Sequence, residues 1–201
     1  MQNYIIEPKA GFREKRRYEI LDGKIYNMAR PSINHITIAG NIFNKFRSFL
    51  KGKKCRAFME ADVHLGKDEK SGKKNTIVPD VMIVCNRDII KENGIHGAPD
   101  LIVEVLSPST AARDIGRKKD LYAEHGVKEY WIVSAAERSI QVYLLINGAY
   151  ILRDVYQVYK DWYIEGMEEE ERAAIIKEFK ISLEGFEDLI INIEEVFENV
   201  E

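Results

Sequence analysis

No apolar run in this 201-residue chain reaches the roughly 18 residues that a membrane span requires, and the first residues lack the apolar core of a signal peptide. The expectation is a cytoplasmic protein with no membrane partner. Cysteine is scarce: Cys55 and Cys85 stand far apart in the chain, without metal-ligand spacing, and are expected as reduced, structural thiols. Internal repeats and low-complexity linkers are both missing, which excludes solenoids and beads on a string. What remains has the apolar and charged content of one globular domain, long enough to bury a good-sized core. The net charge of −3 conceals an asymmetry, because residues 161–201 carry 14 acidic and three basic side chains. The preceding body is therefore basic. Such a body attracts a polyanion, while an acidic tail repels it or covers the basic surface; a plain solvated surface reads the same way.

The chain is organised around residues 99–134. Pro99-Asp100-Leu101-Ile102-Val103-Glu104-Val105-Leu106 is a short apolar run rich in β-branched residues, the signature of a strand buried on both faces. Glu104 sits in its middle, and a carboxylate there must be neutralised by a metal, a cation or a proton. After the Ser107-Pro108-Ser109-Thr110 turn the period lengthens to that of a helix over 111–125, capped by Ser109 or Thr110 and ended by Gly126. Asp114, Lys118 and Tyr122 fall at successive four-residue steps and share one face, while Ile115 and Leu121 are assigned to the core. Tyr130-Trp131-Ile132-Val133 then closes a strand–helix–strand unit.

Residues 1–16 have no clear period and read as an extended arm. Two strand candidates, 17–21 and 24–28, flank Asp22-Gly23, and two more, 139–145 and 149–152, flank Asn147-Gly148; each pair predicts a β-hairpin. Apolar residues from Ile36 to Leu50 recur at helical spacing behind Ser32 or Asn34, and Lys51, Lys53 and Lys54 suit the negative end of that helix. Residues 57–65 read as a strand, and 66–75 as a lysine-rich surface loop. Residues 76–85 form a second buried-type strand interrupted by Pro79-Asp80, and Asp80 is the second acid embedded in apolar sequence. The segment 168–180 is Glu-rich and amphipathic, and 186–197 holds a short strand followed by a helical turn.

These acids permit metal chemistry. Asp100 and Glu104 share a strand face but lie about 13 Å apart, too far for one ion. Asp80 belongs to another strand, and neighbouring strands stand only about 4.8 Å apart, so Asp80 and Glu104 can converge on a single Mg²⁺ or Mn²⁺ that keeps several waters. Lys118 would then position or deprotonate the attacking water, or stabilise developing charge.

Pro79-Asp80, the run from Pro99 to Ser109, then Asp114, Lys118, Tyr122, Gly126-Val127 and Glu129-Tyr130-Trp131 resemble, in that order, the Uma-two family of restriction endonuclease-like proteins. Tyr18-Glu19, Asp22-Gly23, Met28, Pro31 and His35 extend the likeness to about residues 17–152. The resemblance implies an α/β fold of the PD-(D/E)xK nuclease superfamily. Its restriction endonuclease-like αβββαβ core has a mixed central sheet, here with added N-terminal and C-terminal β-hairpins. The core helix would be 32–50, the strands 56–65, 77–85 and 100–106, the second helix 111–125 and the last strand 128–134, leaving 161–201 as an acidic extension. It further implies that Asp80 and Glu104 are metal ligands, that DNA is the substrate, and that two copies pair as a homodimer. One departure stands out: the lysine usual two residues after the Glu is Leu106 here, which implies that Lys118 has taken over from the helix.

Each residue also has a plainer reading. Glu104 and Lys118 can be a structural pair, Lys118 can be a surface lysine, Asp80 a turn residue and Tyr122 a packing residue that bonds a carboxylate. Glu60 is a candidate third carboxylate, and Asp114 and His35 are accessory candidates; His35 and His64 are more often satisfied hydrogen-bonders than ligands. The function expected is metal-dependent cleavage of phosphodiester bonds in DNA. The competing expectation is a non-catalytic nucleic-acid-binding or assembly module that keeps the fold.

Overall fold

Asp22 and Gly23 both take positive φ (51° and 72°), as a type I′ turn needs. They join β1 (Tyr18–Leu21) to β2 (Lys24–Asn27) in the expected N-terminal hairpin. The computed structural model describes residues 17–67, 72 and 74–201. The arm expected at 1–16 and much of the expected lysine-rich loop lie outside the described residues. Helix α1 (Ile33–Phe49) follows, with the Ser32 hydroxyl accepting from the His35 N–H as its cap.

The strands expected over 57–65 and 76–85 are both bent, the second at the Pro79-Asp80 interruption. β3 (Arg56–Met59) and β4 (Val63–Lys67) are separated at Glu60, whose φ is 49°. β5 (Lys74–Ile77) and β6 (Val81–Val84) are separated at Val78-Pro79-Asp80. Pro79 has no N–H for a ladder, and its carbonyl instead accepts from the Glu60 N–H across the bend. The long hairpin therefore serves two sheets, β4 pairing with β5 in one and β3 with β6 in the other.

The remaining elements are β7 (Ile90–Lys91), β8 (Gly94–Ile95), β9 (Leu101–Val105), α2 (Ala111–Arg113), α3 (Lys119–Glu124), β10 (Glu129–Ser134), β11 (Ser139–Ile146), β12 (Ala149–Gln157), α4 (Asp161–Glu165), α5 (Glu169–Ala173), β13 (Glu178–Lys180), β14 (Ile190–Asn192) and α6 (Ile193–Val196). One sheet runs β2-β1-β5-β4-β8-β7, and the central one β12-β11-β10-β9-β6-β3. In the central sheet β9 and β10 are parallel and the other pairs antiparallel, so the sheet is mixed and the αβββαβ order is present. β11 and β12 turn at Asn147 and Gly148, again both at positive φ, as the second expected hairpin.

Alternation sorts the central sheet's side chains into two buried layers. Val81, Ile83, Val103, Trp131 and Val133 face α1, where Trp131 meets Phe46 edge-on at 5.5 Å. Met82, Ile102, Tyr130 and Ile132 face α3 and the first sheet. Each such side chain contributes about 1.5–3 kcal/mol by leaving water, and β9 is buried on both faces as its composition predicts. The acidic C-terminal segment supplies Phe179, Phe186, Leu189, Ile191 and Phe197 to the α1-side layer, while its carboxylates point mostly outward. Among the described residues no helix is long and apolar enough to cross a membrane.

Two expectations need correction. Ile115 is half exposed rather than in the core, because the helix breaks at Gly116 (φ −101°, ψ −108°) inside a wide five-residue π turn, Asp114–Lys118. Cys55 and Cys85 are joined in a disulfide rather than reduced. The β3–β6 register that pairs Arg56 with Val84 sets residues 55 and 85 opposite each other one step further on. The bond closes a loop of 30 residues, worth about 3–4 kcal/mol by chain entropy. Thermal melts with and without reductant should therefore differ by many degrees, and superimposable melts would show that the ladder alone sets stability here.

Candidate active site

Glu104 projects from the middle of β9 into the layer below α3, surrounded by apolar neighbours and 3% exposed. Its Oε1 accepts from the Tyr122 hydroxyl at 2.5 Å and from Lys118 Nζ at 3.1 Å. Lys118 is equally buried, and its ammonium also lies 2.8 Å from Glu19 Oε1 and 3.2 Å from Asp114 Oδ1. The π turn at 114–118 and the helix after it thus bring Asp114, Lys118 and Tyr122 onto one acid, the shared face that their spacing predicts. The surface-lysine reading of Lys118 is excluded by its burial.

Asp80 stands at the bend of the long hairpin. The register that pairs Val81 with Val103 continues to set Asp80 against Glu104 on the adjacent strand. Its Oδ2 accepts from the Val105 N–H at 2.7 Å, extending the ladder past the end of β6, and its Oδ1 meets His35 Nε2 at 3.0 Å. His35 Nδ1 is buried without a partner among the described residues. Glu60, by contrast, is half exposed and tied to Arg17 at 2.8 Å, away from the lysine. Asp100 is taken up elsewhere, accepting from the Cys85 N–H and from Lys128, both at 2.7 Å. His64 bonds Thr76 and stays outside the group.

Asp80, Glu104, Asp114, Lys118, Glu19, His35 and Glu60 all line one cleft of about 1050 Å³. Its wall also carries Arg17, Arg30, Arg138 and Lys160, together with the Ser107–Thr110 turn. Glu19 is the participant that a reading for isolated acids passes over. Its signal was phase: in the strand 18–21 it alternates in step with Leu21, and both are buried.

The electrostatics show a shortage of positive charge. Burial holds the Glu104 carboxyl well above its ordinary range, and Asp114, Asp80 and Glu19 push it further, against the pull of Lys118. Asp114 is raised for the same leading reason. Burial works against charge on Lys118, yet attraction from Glu104, Asp114 and Glu19 outweighs it and raises the ammonium's pKa. Glu104, Asp114 and Lys118 are thus all raised, the two acids first by burial and the lysine by the carboxylates around it. Burial alone would lower His35, but its hydrogen bond to Asp80 and the charge there raise it.

Two acids at neighbouring strand positions, close enough for the charge of Asp80 to act on Glu104, with the buried Asp114 Oδ1 lacking a hydrogen bond of good geometry, fit a hard divalent cation that keeps several waters. Among the described residues no three Asp, Glu, His or Cys side chains converge closely enough to coordinate one ion, so such a site would rest on two acids and solvent.

Core order, mixed sheet and the carboxylate–lysine cluster define a restriction endonuclease-like protein. The chain matches the model of the Uma2 family, described as "Putative restriction endonuclease", over residues 2–172, and belongs to that family. It is 34% identical over 132 residues to the uncharacterized protein slr1290 of Synechocystis sp. (strain ATCC 27184 / PCC 6803 / Kazusa), covering 65% of this chain and 67% of the relative. A crystal structure described as "a putative nuclease belonging to DUF820" from Anabaena variabilis ATCC 29413 superposes with a TM-score of 0.65. That match covers 90% of this chain and 89% of the other; at 20% identity it speaks for the fold alone.

Proposed function

We propose that this protein is a divalent-metal-dependent endonuclease that hydrolyses phosphodiester bonds in DNA. The observation that carries the reading is one buried ammonium amid the carboxylates of Glu19, Glu104 and Asp114, with Asp80 opposite Glu104, on the floor of an open cleft. A phosphodiester is an anion and is repelled by that floor until further positive charge is present. Asp80 and Glu104 would hold Mg²⁺ or Mn²⁺. When bound, the ion would polarise a phosphoryl oxygen and offset charge that develops in the transition state.

The chain's own residues do the rest. Lys118, kept protonated by its acids, is unsuited as a general base near neutral pH; it donates hydrogen bonds and positive charge to developing negative charge. Tyr122 stays protonated, its pKa raised by burial and by Glu104, and its hydroxyl fixes the orientation of the Glu104 carboxylate. His35 does the same for Asp80. Arg17, Arg30, Arg138 and Lys160 on the cleft wall suit contacts to the phosphate backbone, which position DNA without reading its sequence.

The absence of a three-ligand cluster among the described residues favours the second reading, a nucleic-acid-binding or assembly module without catalysis. Calorimetric titration with Mn²⁺ separates the two. The catalytic reading expects binding in the wild type, its loss in Asp80→Ala, and plasmid nicking that needs the same ion. Wild-type protein that bends or coats DNA but takes up no Mn²⁺ would leave only the module.

A further inference from the structure

We propose that the ammonium of Lys118 occupies a second cation position, so that the native site takes a single divalent ion and removing the lysine opens a second site at Glu19, Glu104 and Asp114. The inference rests on the reading that Asp80 and Glu104 hold the first ion.

The three carboxylate oxygens surround Nζ at 2.8, 3.1 and 3.2 Å. Ca²⁺ takes oxygen ligands at about 2.3–2.6 Å, so the ring would have to contract by only about half an ångström per ligand. The lysine holds the three acids at ammonium spacing, wider than the spacing a metal ion needs, and among the described residues no three acids converge on one ion position. Asp114 Oδ1 points the same way: it is buried and its contact with Nζ lacks hydrogen-bond geometry. A single ammonium charge amid three carboxylates leaves this ring short of positive charge and one of its oxygens without a hydrogen bond. The ring is also anchored from three separate elements. Glu19 Oε1 accepts from the Val78 N–H at 3.0 Å, Glu104 Oε1 from Tyr122, and Asp114 lies in the π turn. Removing Lys118 leaves those anchors in place, with the cleft as the route by which an ion and its waters enter.

Two native consequences follow. The lysine is tethered to the chain and cannot be lost by dilution or chelation, so one of the two cation positions is permanently filled. Glu104 is shared, bonded to the tethered cation through Oε1 and set against Asp80 where the exchangeable ion is read to bind.

Calorimetry with Ca²⁺ tests this on the full chain. The wild type should take up about one ion, Lys118→Ala about two, and Lys118→Met, which fills the space with an uncharged chain, no more than the wild type. Should Lys118→Ala be unfolded alone, Ca²⁺ should restore its circular dichroism spectrum, and a chain that stays unfolded in excess Ca²⁺ would overturn the proposal. Stoichiometry that does not rise in a folded Lys118→Ala protein would overturn it too. The metal reading fails separately: a wild type that binds no ion refutes it, while a rise from none to one in Lys118→Ala would still locate the second site.

Discussion

Lys118→Ala is expected to lower stability by about 3–5 kcal/mol at neutral pH in metal-free buffer, the usual loss when one partner of a buried ionic cluster is removed. The lysine is 3% exposed and its ammonium touches Glu19, Glu104 and Asp114, so truncation deprives three carboxylates of the one ammonium they share. The loss should depend on pH with a definite sign. Attraction from Lys118 lowers the pKa values of Glu104 and Asp114; without it both rise further above their unfolded values. The folded variant then holds more protons than the unfolded chain, and its stability falls as pH rises through that window. Denaturant melts between pH 4 and 8 should find the deficit smallest at the acid end. A deficit that is flat with pH would mean that lost packing of the lysine stem, and not lost charge, is the cause.

Most of this geometry was legible as a conflict between neighbours. An acid inside a run such as Ile102-Val103-Glu104-Val105 announces itself, and the four-residue spacing of Asp114, Lys118 and Tyr122 names the face that meets it. Both hairpins were legible because Asp-Gly and Asn-Gly supply the two positive φ values a tight turn needs. What stayed hidden depended on long-range register. The bends at Glu60 and Pro79 divide each strand between two sheets; Pro79-Asp80 marked an interruption in one of them, but periodicity carries no sign that the halves join different sheets. Cys55 and Cys85 become neighbours only once β3 and β6 are paired. Glu19 joins the site only once β1 lies beside β5 and the Val78 N–H. Ile115 was misplaced because its spacing assumed a regular helix, whereas a π turn, a feature frequent at functional sites, widens the backbone there.

Glu104→Gln should have the opposite effect on stability from Lys118→Ala, although the two side chains touch. Glutamine keeps an oxygen to accept from Tyr122 and Lys118, and Lys118 retains Glu19 and Asp114. What disappears is one buried negative charge from a group that has too many. Burial raises the Glu104 pKa, so between its unfolded and folded values the native state binds the extra proton. Wild-type stability therefore falls as pH climbs through that interval. The glutamine variant does not titrate. It should be equal to the wild type near pH 4 and more stable by up to about 2 kcal/mol at neutral pH, the gain often seen when a functional charge is removed. The same substitution should abolish measurable Mn²⁺ binding and any metal-dependent nicking, since one of only two acids proposed to hold the ion is gone. Stability and metal uptake measured on one preparation decide the matter. A variant that is destabilised and still binds Mn²⁺ would make Glu104 a structural acid, whereas a stabilised variant blind to the metal marks it as a group kept for chemistry at a cost to the fold.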